Sequence, residues 1–383
     1  MKLTVAHQIS AVNSDQWNRL QGADNPFLRY EFLQALEQHH AVAAETGWLP
    51  QHLLLWENDQ LIAAAPAYLK QHSWGEFVFD FAWAQAYERH GLNYYPKLVI
   101  GVPFSPVNGP RMLLDPNKPA DELRDALALG AMRLTKQLNL SSAHWLFHSA
   151  ADGKALLRNN YLHRTGCQFH WYNAGYTDFD AFLGGMSAKK RKNIRRERRL
   201  VASAGVTMQV IHGHETDTAL WSAMHRFYSN TFEAHGNLPL ISRECFMDIA
   251  QALGEQMILF VAKREETPIA GAICFRDADT LYGRYWGADE EIDGLHFEAC
   301  YYQGIEYCIQ HGLTHFEPGA QGEHKIARGF LPTLTHSAHY LVDPQFRQAV
   351  DHFLERERPA VAGYAEALRA EAPFRSEILD TLP

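Results

Sequence analysis

Two pairs of apolar runs, each bent about a polar turn, stand about 207 residues apart in a chain of 383. Residues 53–56 and 61–69 flank the turn Glu57-Asn58-Asp59-Gln60, and residues 257–263 and 269–275 flank the turn 264–268. Apolar runs of this length around a short polar connection predict hairpin strands. In each half a strand, an amphipathic helix and another strand then follow: 97–104, 116–140 and 143–148 first, 280–286, 295–310 and 315–317 second. An element order that returns in this way confines the chain to two units of one α/β kind. Further strands are predicted over 76–81, 167–176 and 337–342. The expected division is 1–180, 181–343 and a helical tail 344–383 interrupted at Pro359, with the boundary near residues 177–185.

Immediately after that boundary comes SAKKRKNIRRERRLVASAG, residues 187–205. Residues 187–200 hold eight basic side chains and one acid, a local charge of +7 in a chain of −9, which leaves −16 for the remainder. Ser187 suits an N-cap, Gly205 suits a helix exit and no proline intervenes, so a helix is expected. At 100° per residue Lys189, Arg191, Lys192, Arg195, Arg196, Arg198 and Arg199 share one half of the wheel. Ile194, Leu200, Val201 and Ala204 lie on the other. Like charges one turn apart repel. The face therefore calls either for acidic neighbours in the same protein or for a polyanion: a phosphate-bearing substrate, a tRNA or an anionic membrane surface touched peripherally.

The composition, 46% hydrophobic and 21% charged, is that of an ordinary globular protein. The five cysteines form no CxxC pair, so reduced thiols are expected rather than a disulfide framework or a zinc knuckle. No secretory leader is read at the N-terminus, and no apolar run approaches the roughly 20 residues of a membrane span. A cytoplasmic protein is the expectation. Among the 21 histidines, the pairs His39-His40, His212-x-His214 and His336-x-x-His339 show no third ligand, so no metal is expected.

The densest chemistry is HFEPGAQGEHKIARGFLP, residues 315–332. Glu317 stands at a strand end and Pro318-Gly319 turns the chain. Gln321, Glu323, His324, Lys325 and Arg328 then crowd into eight residues. Carboxylate, imidazole and cations on a glycine-hinged loop are a common way to present acid/base and anion-holding groups. The preceding strand carries YGRYWG, whose Arg284, Tyr285 and Trp286 are expected to wall a groove or to fill a core.

The element order resembles the GNAT-type N-acyltransferase unit, and two such units around a basic helix resemble the Fem-type aminoacyl ligases. More closely, SAKKRKNIRRERR, EAHGNLP, YGRYWGA, HFEACYYQGIEY and FEPGAQGEHKIARGF are similar to the FemAB-like family of peptidoglycan biosynthesis or recognition. FDFAWAQAYERHGLNYYPKL and VPFSPVNGPR in the first half extend the likeness. The resemblance implies two tandem GNAT-like α/β units in a bacterial N-acyltransferase moving an acyl or aminoacyl group to an amine. It implies that the backbone at residues 284–287 faces the acyl oxygen and that Glu317 or His324 is the base. Lys325 and Arg328 would hold charge, with His235 and Gln321 lining the groove. The basic helix, through Lys189, Lys192, Arg195, Arg196 and Arg199, would meet a tRNA or the diphosphate of a cell-wall precursor. No tightly bound cofactor is implied, and the donor is aminoacyl-tRNA or acyl-CoA. Where acetyl-CoA enzymes of the GNAT type hold pyrophosphate on a glycine-rich turn, this chain has ADEEIDG (288–294), whose acids disfavour that ligand. An acyl-CoA enzyme with an altered turn, and a non-catalytic binder of precursor or RNA, remain the rival expectations.

Overall fold

In the computed structural model, which describes residues 1–22, 24–320 and 322–383, the first hairpin turns on Asn58 and Asp59. Both are left-handed, with φ of 48° and 62°. Consecutive positive φ values make the tight hairpin turn whose twist matches that of its strands, and Asn and Asp tolerate it best.

In chain order the elements begin with β1 (Lys2–Ala6), α1 (Ser14–Asn18), α2 (Tyr30–Gln38), β2 (Trp48–Pro50), β3 (His52–Glu57), β4 (Gln60–Ala65) and β5 (Ala67–Lys70). Next come α3 (Phe81–Arg89), β6 (Lys97–Ile100), β7 (Leu113–Leu114), α4 (Ala120–Gln137), β8 (Ser142–Leu146), α5 (Ala150–Arg158) and β9 (Leu162–Tyr172). Then follow α6 (Phe179–Gly184), the basic helix α7 (Ala188–Ser203), β10 (Val206–His212), α8 (Thr218–Ala234), α9 (Arg243–Leu253), β11 (Met257–Arg264), β12 (Thr267–Arg276) and β13 (Thr280–Ala288). The last group is α10 (Leu295–Phe297), a π-helical turn (Glu298–Tyr302), α11 (Gln303–Gln310), β14 (His315–Glu317), β15 (Leu331–Leu341), α12 (Pro344–Arg369) and α13 (Ser376–Leu379).

The compact units are 1–167 with 334–363, and 168–333 with 364–383. The chain thus passes between them inside β9, β15 and α12, rather than at the expected 180/181 and 343/344. Long strands and a long helix carry the crossings, which hides them from a search for polar linkers. Helix α12 also continues through Pro359, where an interruption was expected. The lost N–H and ring clash cost about 3 kcal/mol; buried Val350, Leu354, Ala365 and Leu368 along the same helix offset them.

In the first unit β1, β3, β4 and β7 form one sheet in the order β1-β3-β4-β7. Pro66 then breaks the line, and β5 pairs instead with β2 and β6, which runs parallel to β8. The core gathers Leu55, Ile62, Leu98, Ile100, Leu127 and Trp145 beneath α4. The strand expected at 76–81 is absent. Its alternation is real but reversed: Glu76 and Asp80 point inward to Lys97, while Phe77, Phe79 and Phe81 are exposed. Phe77 at φ 59° then ends any extended run.

In the second unit β10, β11, β12 and β13 are antiparallel neighbours, and β14 adds parallel to β13. Strand β9 closes the far side of β14. Helices α8 and α9 cross between β10 and β11, and the π-containing helix crosses between β13 and β14. Its core centres on Trp171, Phe260, Leu281, Tyr302, Ile305 and Phe316. Among the described residues, no helix is long and apolar enough to cross a membrane.

Candidate active site

Strands β13 and β14 pair over only three positions, ending at Tyr282 opposite Glu317. Beyond them β13 runs on to Ala288 while Pro318-Gly319 turns the other chain away, so the two strands part. Just past the ladder β13 carries a bulge: Gly283 faces Cys274 and Tyr285 faces Ile273, leaving Arg284 as the extra residue. Bulges re-aim backbone groups and interrupt pairing, and they concentrate beside active sites. Gly287 then lets helix α8 approach, since a Cβ there would lie 1.7 Å from the Phe227 carbonyl oxygen.

The residues expected along β13 face opposite ways, as strand alternation requires. Tyr285 packs away from the gap, edge-on to Tyr228 and Phe246 of α8 and α9, so it is not part of the wall. Trp286 faces the other side and meets His296 at 5.4 Å. The half-buried Arg284 lays its guanidinium 5.2 Å from the Tyr285 ring centre.

The loop after β14 coils into a short 3-10 turn, residues 323–328, against the π-helical segment. His324 is exposed there and shares a hydrogen bond of 2.9 Å with the Tyr301 hydroxyl. Its ring also lies within 6.3 Å of His296, which ties it to the Trp286 wall. Burial, then Lys325 and Arg328, lower its pKa, so the ring is neutral at pH 7. Lys325 is 3% exposed and donates to the Gly319 carbonyl at 2.8 Å. Burial pushes it down to about 7, so it is not the permanent cation expected from the sequence. Arg328 is likewise engaged: it donates to Glu197 at 2.8 Å and to the His324 carbonyl at 2.9 Å, and it stacks 3.3 Å above Phe297.

Glu317 is only 4% exposed and sits among histidines rather than at an open surface. His170 on β9, His315 and Glu317 offer ligand-type atoms that all lie within 4.8 Å of one another. His315 Nε2 and His170 Nδ1 are 3.0 Å apart, and His170 Nε2 donates to Gln168 Oε1 at 2.9 Å. Tyr172 stacks flat on His315 at 4.9 Å. Burial holds both imidazoles neutral, His170 well below its usual range and His315 at about 4. His235, by contrast, closes the C-terminus of α8 in solvent, its Nδ1 on the Thr231 carbonyl, with no contact to this group. Gln321 lies outside the described residues.

Helix α7 seats Ile194 and Val201, whereas Leu200, expected on the same seam, is 44% exposed. Part of its charge is answered internally. Arg195 pairs with Asp180, and Arg198 pairs with Glu298 and Glu306. Among the described residues, Lys189, Arg191, Lys192, Arg196 and Arg199 form no salt bridge. Arg191, Lys192, Arg195, Arg198 and Arg199 line a groove of about 670 Å³ together with Phe179 and the acids Asp178, Asp180 and Glu306. Of the acids at 289–293, Asp289 pairs with Arg226 and Glu290 with Arg264.

A charged network in the first unit escaped sequence reading altogether. Lys97 Nζ contacts Ser73 Oγ at 2.8 Å, Glu76 at 2.8 Å and Asp80 at 2.5 Å, all buried. Tyr94 donates to Asp80, and Tyr95 bonds Ser73. The only trace was a lysine amid apolar strand residues.

A family model described as peptidoglycan biosynthesis/recognition, the FemAB-like family, matches residues 8–376. No curated protein matches the sequence. Among solved structures, FemX superposes with a TM-score of 0.52 at 13% identity, covering 92% of this chain and 100% of its own. The C-terminal domain of a putative lysylphosphatidylglycerol synthetase from Agrobacterium fabrum gives 0.53 at 8% identity, covering 89% and 97%. L-PGS from Bacillus licheniformis gives 0.50 at 11%, covering 85% and 96%. At such identities the likeness speaks for the fold alone: the tandem of GNAT-like α/β units anticipated from element order.

Proposed function

The chain belongs to the FemAB-like family, and from that premise we propose that it transfers an acyl or aminoacyl group to an amine, on a cell-wall precursor or a related acceptor. The observation that carries this reading is the bulged edge of β13 where β14 leaves it. On this reading the backbone of that edge, beyond the end of the β13–β14 ladder, takes the oxygen of the reacting carbonyl. Donors preset toward a developing oxyanion supply the largest single share of catalysis in acyl transfer. Neutral His324, 2.9 Å from the Tyr301 hydroxyl, takes the proton from the acceptor ammonium. The freed nitrogen attacks the carbonyl carbon, the tetrahedral oxyanion accepts from the β13 backbone, and collapse breaks the bond to the leaving oxygen or sulfur. His324 releases that first proton to solvent, then takes the second one from the cationic nitrogen of the tetrahedral adduct and passes it to the leaving atom, so the amide forms neutral with one proton released overall.

The unpaired cations of α7 hold the phosphates of the donor or acceptor. Aminoacyl-tRNA is the donor that this long, exposed cationic face suits best. The arginine pairs on Asp289 and Glu290 favour a second reading, because they neutralise half of the acids that would repel an acyl-CoA pyrophosphate. Label transfer from aminoacyl-tRNA or acetyl-CoA to a nucleotide-linked precursor, followed by mass spectrometry, separates the two. His324→Ala lowers the rate about 10²–10⁴-fold on the proposed reading. Undiminished transfer by that variant contradicts it.

A further inference from the structure

We propose that His170, His315 and Glu317 bind one divalent transition-metal ion, of the zinc class, on the face shared by β9 and β14. The ladder between these strands fixes the arrangement: His315 lies opposite Tyr172, so Glu317, two residues on, falls opposite His170. His315 and Glu317 are two apart on one strand and therefore share a face. Two imidazole nitrogens already stand 3.0 Å apart, against about 3.3 Å for two nitrogens on one tetrahedral zinc at 2.0–2.1 Å. Closing the site takes a rotation of the Glu317 side chain, whose oxygen starts within 4.8 Å of both nitrogens.

Two further features support a ligand set rather than a fortuitous histidine pair. His170 Nε2–H is given to Gln168 Oε1 at 2.9 Å, which leaves Nδ1 as the lone-pair nitrogen turned toward the group. Metal-binding histidines characteristically hand their other N–H to such an acceptor. Tyr172, stacked at an interplanar angle of 7°, holds the His315 ring in place. Binding requires only that His315 move its proton from Nε2 to Nδ1, so neither imidazole needs to lose net charge. Arg284 is the full cation facing the group, and Lys325, which burial pushes down to about 7, adds a partial charge. They disfavour hard, oxygen-seeking ions such as Mg²⁺ and Ca²⁺ and leave those that bond strongly to imidazole. Three protein ligands leave a fourth position open, as in catalytic rather than structural zinc sites.

The inference goes beyond the transfer reading and does not rest on it, since His324 and the β13 edge are not ligands. The test is zinc titration of the full-length chain by calorimetry, with bound metal counted by mass spectrometry and the Co²⁺ form examined by visible absorption. One equivalent is expected, with tetrahedral Co²⁺ bands. Gln168→Met keeps all three ligands and should weaken binding about 10–100-fold. His170→Asn should abolish the stoichiometric site, while His324→Ala should leave it intact even if transfer is lost. Failure of the wild-type chain to retain near one equivalent, or equal affinity in His170→Asn with unchanged near-ultraviolet circular dichroism, would overturn the proposal.

Discussion

At the scale of single residues, environment decides chemistry more than type does. Glu76 and Asp80 are four apart and share Lys97, yet their carboxyls diverge. Burial pushes Glu76 up to about 7, while Asp80, although burial opposes it, is drawn down to about 2 by Lys97 and its hydrogen bonds. The signs follow. Folded Glu76 keeps a proton that the unfolded chain releases between pH 4.5 and 7, so this group makes stability fall as pH rises through that window. Asp80 contributes stability above its usual 3.8 that is lost as pH falls toward 2. Denaturant titrations at pH 5 and 7 should show a smaller difference in Glu76→Gln than in the parent. An unchanged difference would mean that Glu76 is ionised throughout. In the second unit, His324 is already neutral at pH 7, so the transfer rate should stay flat near neutrality and fall only below the ordinary imidazole range. That acid limb should disappear from the residual activity of His324→Gln.

The sequence could point to Glu317, His324, Lys325 and Arg328 because they crowd one loop. It could not show that Arg328 is held by Glu197, 131 residues away, or that Glu317 faces His170. His170 carried no local signal, since its partner lies 145 residues on and only the β9–β14 register joins them.

At the scale of elements, backbone approach and helix charge are the features that can be tested. Gly287 is where β13 meets α8, and a methyl group there would lie 1.7 Å from backbone that cannot rotate aside. Gly287→Ala should therefore lower the melting temperature by more than ordinary overpacking, which costs about 1–3 kcal/mol. A melting temperature within a degree of the parent would show that α8 can move freely. On α7, the face read from the helical wheel is formed, but it is divided: Arg195 and Arg198 bind acids of the same unit, and the others remain open. If the open set holds a single-stranded polyanion, log affinity should fall with log salt by about 0.7 for each contact neutralised. Replacing Arg191, Lys192 and Arg199 by Gln should flatten that slope by about 2, whereas an unchanged slope would reduce the helix to a charged surface.

At the scale of the whole molecule, the repeat was legible because hairpin, strand, helix and strand each carry local periodicity. The parallel pairs β6–β8 and β13–β14 arise from the same strand–helix–strand order in both units. The boundaries were not legible, because the chain changes unit within continuous strands and a continuous helix that bury apolar residues on both sides of each crossing. The reversed alternation at 76–81 misled for a related reason. Burying Glu76 and Asp80 depends on Lys97, a partner about 20 residues away that a period cannot reveal. On the proposed function the chain binds a phosphate-bearing substrate on α7 for acyl or aminoacyl transfer. The most direct test is the thermal stability of the parent and the α7 triple-Gln variant with tRNA, nucleotide-linked cell-wall precursor, or CoA and acetyl-CoA. Saturation at about 100 times the dissociation constant stabilises by roughly 2.7 kcal/mol. The expected result is a clear rise in melting temperature with tRNA or precursor that the variant loses; no rise with any of these ligands, or the same rise in both proteins, would contradict substrate binding on α7.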